Sequence, residues 1–343
     1  MRGMNESRLP LLPAPLSGTG VNPHLEAARQ RMYAWADSFG LIPGSVRVHM
    51  ERSRMEYLSG LYYPTADADT FDLVTGWILW GTVVDDAMDD GLAGEAPAVC
   101  CTAMGQALAY LEQGEFTSTP VIRALDDLWR RTSEKRSEGW KRSFIDHWRQ
   151  GWQSGYAAQI DRLSGRIPSV AEYRDRRRHD IKMLPCADLL EAVLNVDLPE
   201  NLRHLPALEA QHNLASDYAG LVNDLVSVEK DLALDGPQNI VTVIRTHEGC
   251  SVAEAIDMAA RMTRECVQWY LRAECELPMQ LDAAGATGRQ RADALRYAHS
   301  HRATFNGNRQ WHLEVPRYTH DYVTSQAGKA AHITDLLSVL EKA

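Results

Sequence analysis

From Asn22 onward apolar residues recur at spacings of three and four. Leu25, Ala28, Met32, Trp35 and Phe39 form one face of an amphipathic helix, which Pro43-Gly44 ends. The same pattern predicts a second helix from Met50 to Leu61, stopped by Tyr62-Tyr63-Pro64. A third is predicted from about Asp67 to Asp90, with Leu73, Trp77, Trp80, Val84 and Met88 on its buried side. Ala98 to Glu115, Val121 to Lys135 and Ser137 to Arg162 continue the series, the last carrying Trp140, Trp148 and Trp152. Ser169 to Glu172 and Ser251 to Glu254 read as capping boxes, each opening a helix. Pro185 is expected to break or kink the first of these two helices. Val193 to Pro206 reads as a loop or short helix. Ala207 to Leu232 then places Leu214, Tyr218, Leu221, Leu225 and Val228 on one buried stripe, with Gly236-Pro237 closing the segment. Gly285 and Gly288 mark a turn before a last pair of helices. No stretch alternates with period two and none repeats. The predicted class is all-α: a single-domain helical bundle, in which sites form between facing helices.

Composition narrows this further. The 343 residues contain no Gly/Ser-rich linker, and 45% of them are apolar, enough for a sizeable core. The expected organisation is a flexible N-terminal arm over residues 1–20, with Pro10, Pro13 and Pro15, one helical domain over 21–325 and a C-terminal helical tail over 326–343. A net charge of −10 opposes nucleic-acid binding, which needs clustered Lys and Arg. It leaves room for a phosphorylated substrate where metal ions supply positive charge locally. The six cysteines show no CxxC spacing and read as reduced thiols of a cytoplasmic protein. No apolar run approaches the ~18 residues of a membrane span.

Two polar stretches change the picture. Four residues advance a helix by a net ~40°, so Asn223, Ser227 and Asp231 line one stripe beside the buried one. An amide oxygen, a hydroxyl and a carboxylate in a row are hard donors suited to Mg²⁺. Lys230 points close to this stripe, where it can meet an anion held by the same metal, whereas Glu229 falls on the far side. Asp85 and Asp89 share a helix face with Asp86 beside them, at the helix C-terminus, where the dipole repels carboxylates. A bound cation would relieve that repulsion; a solvated acidic helix end would look the same. Between the two stretches lies a basic run, Arg174, Arg176, Arg177, Arg178 and Lys182, ahead of Pro185. It reads as an anion grip or as a solvated basic face.

Asp85-Asp86-x-x-Asp89, Asn223-Asp224-x-x-Ser227-x-x-Lys230-Asp231 and the late Arg317-Tyr318 together resemble the bacterial class I terpene synthases. Asn22-Pro23-His24, Tyr63-Pro64-x-Ala66 and Asn308 to Trp311 support the resemblance, which runs in order from about residue 20 to 320. It implies a helical bundle whose central cavity binds a polyprenyl diphosphate and, typically, three Mg²⁺ ions. By resemblance Asp85 is the principal metal ligand of the first motif, supported by Asp86 and Asp89. Asn223, Ser227 and Asp231 hold the remaining ion. Lys230, Arg317 and Tyr318 bond the diphosphate, and Arg177, 46 residues before Asn223, senses it (Arg178 if the match shifts by one position), with Asp180 linking to a helix break at Ile181. A homodimer is compatible with the family. The chain departs from the usual pattern at Asp231, where Glu is common, at Ile181, where a small residue is common, and at Gly81 and Thr82, which replace aromatics.

The implied reaction is ionisation of an allylic diphosphate followed by cyclisation of the cation. Fixed donors and Mg²⁺ stabilise the leaving group, water is excluded, and aromatic faces, Trp311 foremost and Trp77, Trp80 and Trp152 after it, stabilise cations by roughly 0.5–2 kcal/mol each. Farnesyl diphosphate is the expected substrate, with C20 and C10 diphosphates as alternatives. A chain-elongating prenyl transferase would carry a second aspartate-rich motif where Asn223, Ser227 and Asp231 stand. A non-catalytic helical scaffold would leave these motifs as unrelated surface features.

Overall fold

A computed structural model describes residues 20–89, 97–233, 239–318, 335 and 338–340. The expected arm, apart from Gly20, therefore lies outside the described residues, as do Asp90, Gly236-Pro237 and most of the expected tail. Among the described residues the chain is helical and contains no strand. In order, the helices are α1 (Leu25–Phe39), α2 (Ser45–Ser53), α3 (Met55–Tyr62), α4 (Ala68–Asp89), α5 (Pro97–Gln113), α6 (Pro120–Ser133) and α7 (Glu138–Ser164). They continue as α8 (Val170–Asp180), α9 (Met183–Leu194), α10 (Glu200–Arg203), α11 (Pro206–Ala233), α12 (Ile240–Glu248), α13 (Val252–Ala283) and α14 (Gly288–Glu314). A 3₁₀ turn, Pro316–Tyr318, follows. None of these helices is long and apolar enough to cross a membrane. Cys101, Cys186, Cys250, Cys266 and Cys275 are unbridged.

Side-chain caps start several helices as the sequence leads one to expect. Ser251 forms the full capping box with Glu254, but at Ser169 only half of it forms. The Ser169 hydroxyl accepts from the Glu172 N–H, while the Glu172 carboxylate is drawn to Arg166 at 2.7 Å and Arg176 at 3.3 Å. The predicted helix from Met50 to Leu61 is two helices, parted by Arg54 in the left-handed region at φ 51°. Glycine or asparagine usually marks such a break, and here neither is present. The expected last pair is one helix, α14, opened by a Thr287–Gln290 capping box. Pro185 does not sit at the break it causes. Its ring would clash with the carbonyl four residues earlier and it donates no N–H to that carbonyl, so α8 ends at Asp180 and Pro185 rides in the first turn of α9.

Two apolar cores flank the centre. One joins the N-terminal helices to α7, where Trp140, Phe144, Trp148 and Trp152 form a ladder against Trp77 and Trp80. Trp77 meets Phe144 edge-on at 5.0 Å and Trp80 meets Trp148 at 5.1 Å. Such ring pairs contribute about 0.5–1.5 kcal/mol beyond burial. The second core packs the buried stripe of α11, with Tyr218, Leu225 and Val228, against α12, α13 and Phe305 of α14. Helix α9 touches α4, α7, α11 and α14, so the segment after the α8 break lies between the two cores.

Candidate active site

A cavity of about 860 Å³, its open mouth included, opens between α3, α4, α7, α9, α11 and α14. Its walls are apolar and aromatic, with Met55, Ile78, Leu189, Trp77, Trp148 and Trp311 among them. Asp85, Asp86, Lys182, Asn223, His312 and Arg317 bring polar groups to the same cavity. The two oxygen-bearing stripes, remote in sequence, thus reach one space through Asp85 and Asn223.

On α4, Asp85 is part-exposed and its carboxylate bonds the Lys182 ammonium. Burial raises the Asp85 carboxyl above the usual range, against the opposing pull of Lys182. Asp86 is buried and fully engaged. Arg317 donates to both of its oxygens, at 2.5 and 3.0 Å, and His49 Nε2 lies 2.9 Å away. Burial works to raise the Asp86 carboxyl, but Arg317 and His49 hold it well below the ordinary carboxylate range. In this state the pair pins the 3₁₀ turn to α2 and α4.

On α11, Ser227 Oγ donates to Asp231 Oδ2 at 2.6 Å, so the shorter carboxylate reaches its stripe neighbour directly. Asn239 Nδ2 also donates to that oxygen, at 2.8 Å. Neither Ser227 nor Asp231 lines the cavity. The Asn223 amide is oriented from two sides. Arg177 Nη2 donates to its Oδ1 at 2.8 Å, and His312 Nε2 lies 3.0 Å from its Nδ2. Because His312 Nδ1 faces the Asn308 carbonyl at 2.8 Å, the proton sits on Nδ1 and Nε2 accepts from the amide. Burial pushes the imidazole down to about 3, so the ring is neutral and the orientation is fixed.

Arg177 is the hub of this side. Besides Asn223 it bonds Asp180 Oδ2 at 2.8 Å and Asp224 Oδ1 at 3.2 Å. Asp224 is buried, accepting also from Tyr173 Oη at 2.7 Å and the Ile240 N–H at 3.0 Å. Burial raises its carboxyl, resisted by Arg177 and Tyr173. Arg178 turns elsewhere: it bonds Asp217 at 2.8 and 2.9 Å and does not line the cavity. Ile181 does line it, and Asp180 sits just behind, bound to Arg177 and Lys182. Trp311 lines the cavity with its Nε1 donating to the Ser53 carbonyl at 2.9 Å, and Trp77 lines it too. Trp80 and Trp152 are core residues. The side chains of Asp89, Lys230 and Tyr318 lie outside the described part of the structure.

Asp224, His49, His312 and Trp148 join the site without a signal in the sequence that assigns them to it, and Lys182 joins it as the partner of Asp85. Lys182 stands in the basic run read as an anion grip or a solvated face, which does not reveal its bond to Asp85, and Asp224 stands inside the second motif with no role of its own. His49 and His312 carry no local signal, since only tertiary contact assigns their partners.

Asp85, Asn223, Ser227 and Asp231 offer only hard oxygen donors, the chemistry that divalent Mg²⁺ prefers. Among the described residues no three His, Cys, Asp or Glu gather into a cage of their own. By their donor chemistry the four residues present fit a divalent ion of this kind.

A family model for terpene synthase family 2, C-terminal metal binding, matches residues 76–268, and so spans both motifs. This chain belongs to the bacterial class I terpene synthases. It is an enzyme of that family, whose matched region is a metal-binding one. The synthase is 32% identical over 323 residues to (2Z,6E)-hedycaryol synthase of Kitasatospora setae, covering 93% of this chain and 94% of that protein. It is 28% identical over 306 residues to (+)-T-muurolol synthase ((2E,6E)-farnesyl diphosphate cyclizing) of Roseiflexus castenholzii, covering 89% and 92%. Among solved structures, hedycaryol synthase in complex with nerolidol superposes with a TM-score of 0.76 at 29% identity, covering 88% of this chain and 99% of that one.

Proposed function

We propose that this synthase ionises farnesyl diphosphate in a Mg²⁺-dependent reaction, cyclises the resulting cation and releases diphosphate. The observation that carries the reading is a single cavity with apolar, aromatic walls that also receives Asp85, Lys182, Asn223 and Arg317. That pairing suits a molecule with an anionic head and a hydrocarbon body. The farnesyl chain length is supported by the T-muurolol synthase relative, which cyclises (2E,6E)-farnesyl diphosphate.

Asp85 is assigned to one Mg²⁺ ligand set, with Asp86 and Asp89 beside it, and Asn223, Ser227 and Asp231 to the other. Bound Mg²⁺ would supply positive charge to the leaving diphosphate. His312 and Arg177 keep the Asn223 oxygen turned to its task. Arg177, Lys230, Arg317 and Tyr318 are the diphosphate donors in this reading, and fixed donors cost no reorganisation as charge develops. Met55, Leu189, Trp77, Trp148 and Trp311 wall the hydrocarbon part from water, which would otherwise quench the cation. The aromatic faces among them favour positive charge by roughly 0.5–2 kcal/mol each.

Incubation with C10, C15 and C20 prenyl diphosphates and Mg²⁺, with products identified by mass spectrometry, tests the reading. Cyclic C15 products with stoichiometric diphosphate release are expected. Turnover confined to the C20 substrate would replace the farnesyl assignment, and condensation to longer diphosphates would replace cyclisation.

A further inference from the structure

The break between α8 and α9 is held from several sides. Lys182 occupies the left-handed region, φ 55° and ψ 28°, which residues with a Cβ seldom adopt. Helix α7 presents glycines to it. A Cβ on Gly151 would lie 3.1 Å from the His179 carbonyl oxygen and 3.4 Å from Lys182 Cγ, and one on Gly155 would lie 3.0 Å from Asp180 Oδ1. The lysine stem passes Gly151, and its ammonium reaches the Asp85 carboxylate. The same ammonium donates to the Asp180 carbonyl at 2.8 Å and lies 3.5 Å from Asp180 Oδ1. Asp180 is bound to Arg177, and Arg177 to Asn223. An alternating chain of charge, Asp85–Lys182–Asp180–Arg177, ending on the neutral Asn223 amide, therefore joins the two oxygen-bearing helices through the break.

We propose that Lys182 is a positioning residue whose ammonium holds Asp85 before the substrate arrives and competes with the incoming divalent cation for that carboxylate. The inference rests on the assignment of Asp85 as a metal ligand. Lys182 lines the cavity and is only 9% exposed, so its charge is not dispersed into bulk water. The Asp85 side chain is 37% accessible, so a cation can reach it once the ammonium withdraws. Entry of the metal then requires the Lys182–Asp85 contact to open, leaving the ammonium beside the diphosphate.

The test is Mn²⁺ titration of the full chain with inorganic pyrophosphate, followed by water-proton relaxation and needing no turnover. Lys182→Gln is expected to bind Mn²⁺ about fivefold more tightly than the wild type, the scale of a part-exposed ion pair. Lys182→Arg, which keeps the charge, is expected to stay close to the wild-type value. In an Asp85→Asn background Lys182→Gln should give no gain, because the contested oxygen is already neutralised. Unchanged or weaker Mn²⁺ binding in Lys182→Gln with native circular dichroism would overturn the proposal. So would an equal gain in the Asp85→Asn background, which would reveal a general field rather than competition. If Lys182→Gln does not fold, Lys182→Met, which retains the stem along Gly151, carries the same two expectations. A wild-type protein that binds no Mn²⁺ would remove the metal assignment itself, and the competition with it.

Discussion

The cavity has two unlike sides. Along α4 and α7 the Trp77, Trp80, Phe144 and Trp148 rings touch one another edge-on or stacked through many weak contacts, with one indole hydrogen bond each from Trp77 to Thr132 and from Trp80 to the Val121 carbonyl. Along α8, α9 and α11 a few directed bonds do the holding: Arg177 to Asn223, Asp180 and Asp224, and Lys182 to Asp85 and Asp180. Dispersion contacts degrade gradually when one group changes. A buried charge that loses its partner fails at once. Substitutions on the first side should therefore reshape the outcome of the reaction, and substitutions on the second should stop the reaction or unfold the protein.

The strongest break in this contrast is expected at the oxygen donors. Asp85→Ala or Asn223→Ala should lower diphosphate release by at least about a thousandfold, with far-ultraviolet circular dichroism unchanged. Full turnover in either variant would remove that residue from the site. Next, Arg177→Met should destabilise the fold by about 3 kcal/mol, because Asp224 stays buried without its guanidinium partner. Tyr173→Phe, which deletes one bond to the same carboxylate, should cost about 1 kcal/mol. Urea denaturation of the two variants measures the difference, and equal losses would show that Arg177 is not the main support.

On the aromatic side, a Cβ at Gly81 would approach Trp148 Cη2 to 3.0 Å. Gly81→Ala should push that ring, cost about 1 kcal/mol and alter the product mixture while turnover persists. Gas chromatography of the products decides it; an unchanged mixture would leave the ring as packing alone. The smallest effect is expected at the seam between the sides, where His147 Nδ1 lies 2.6 Å from Asp188. Burial lowers the His147 pKa, but Asp188 more than reverses this and the net shift is upward. The pair's stabilisation is therefore complete below the unfolded value of about 6.5 and is lost as pH rises through the folded value. Wild type minus His147→Asn, compared by urea midpoint at mildly acidic and alkaline pH, should show a difference that shrinks as pH rises.

Much of this was legible in the sequence because helices convert spacing into geometry. Asn223, Ser227 and Asp231 share a stripe, as four-residue steps require, and the Ser227–Asp231 bond follows from it. The Ser251 capping box was readable for the same reason. What escaped was set across the fold. Arg54 turns left-handed with no glycine to announce it. Pro185 acts through the carbonyl four residues back, so the break falls at Ile181 and Lys182, where the family resemblance put it and where the proline by itself does not point. The choice between Arg177 and Arg178 as the residue facing Asn223 depends on which helix face meets α11, and one residue of rotation sends Arg178 to Asp217 instead. His312 has a local bond to the Asn308 carbonyl, yet its meaning comes from Asn223, far away in the chain.

Gly220 bears on any redesign of this cavity. A Cβ there would stand 2.9 Å from Arg177 Cγ, so the middle of α11 keeps a notch through which the arginine stem passes. The helix gives up about 1 kcal/mol of propensity to keep it. A mutant library that varies this residue along with the cavity lining would dislodge the arginine without touching its codon. Clones lost in that way would be scored as failures of the wrong site.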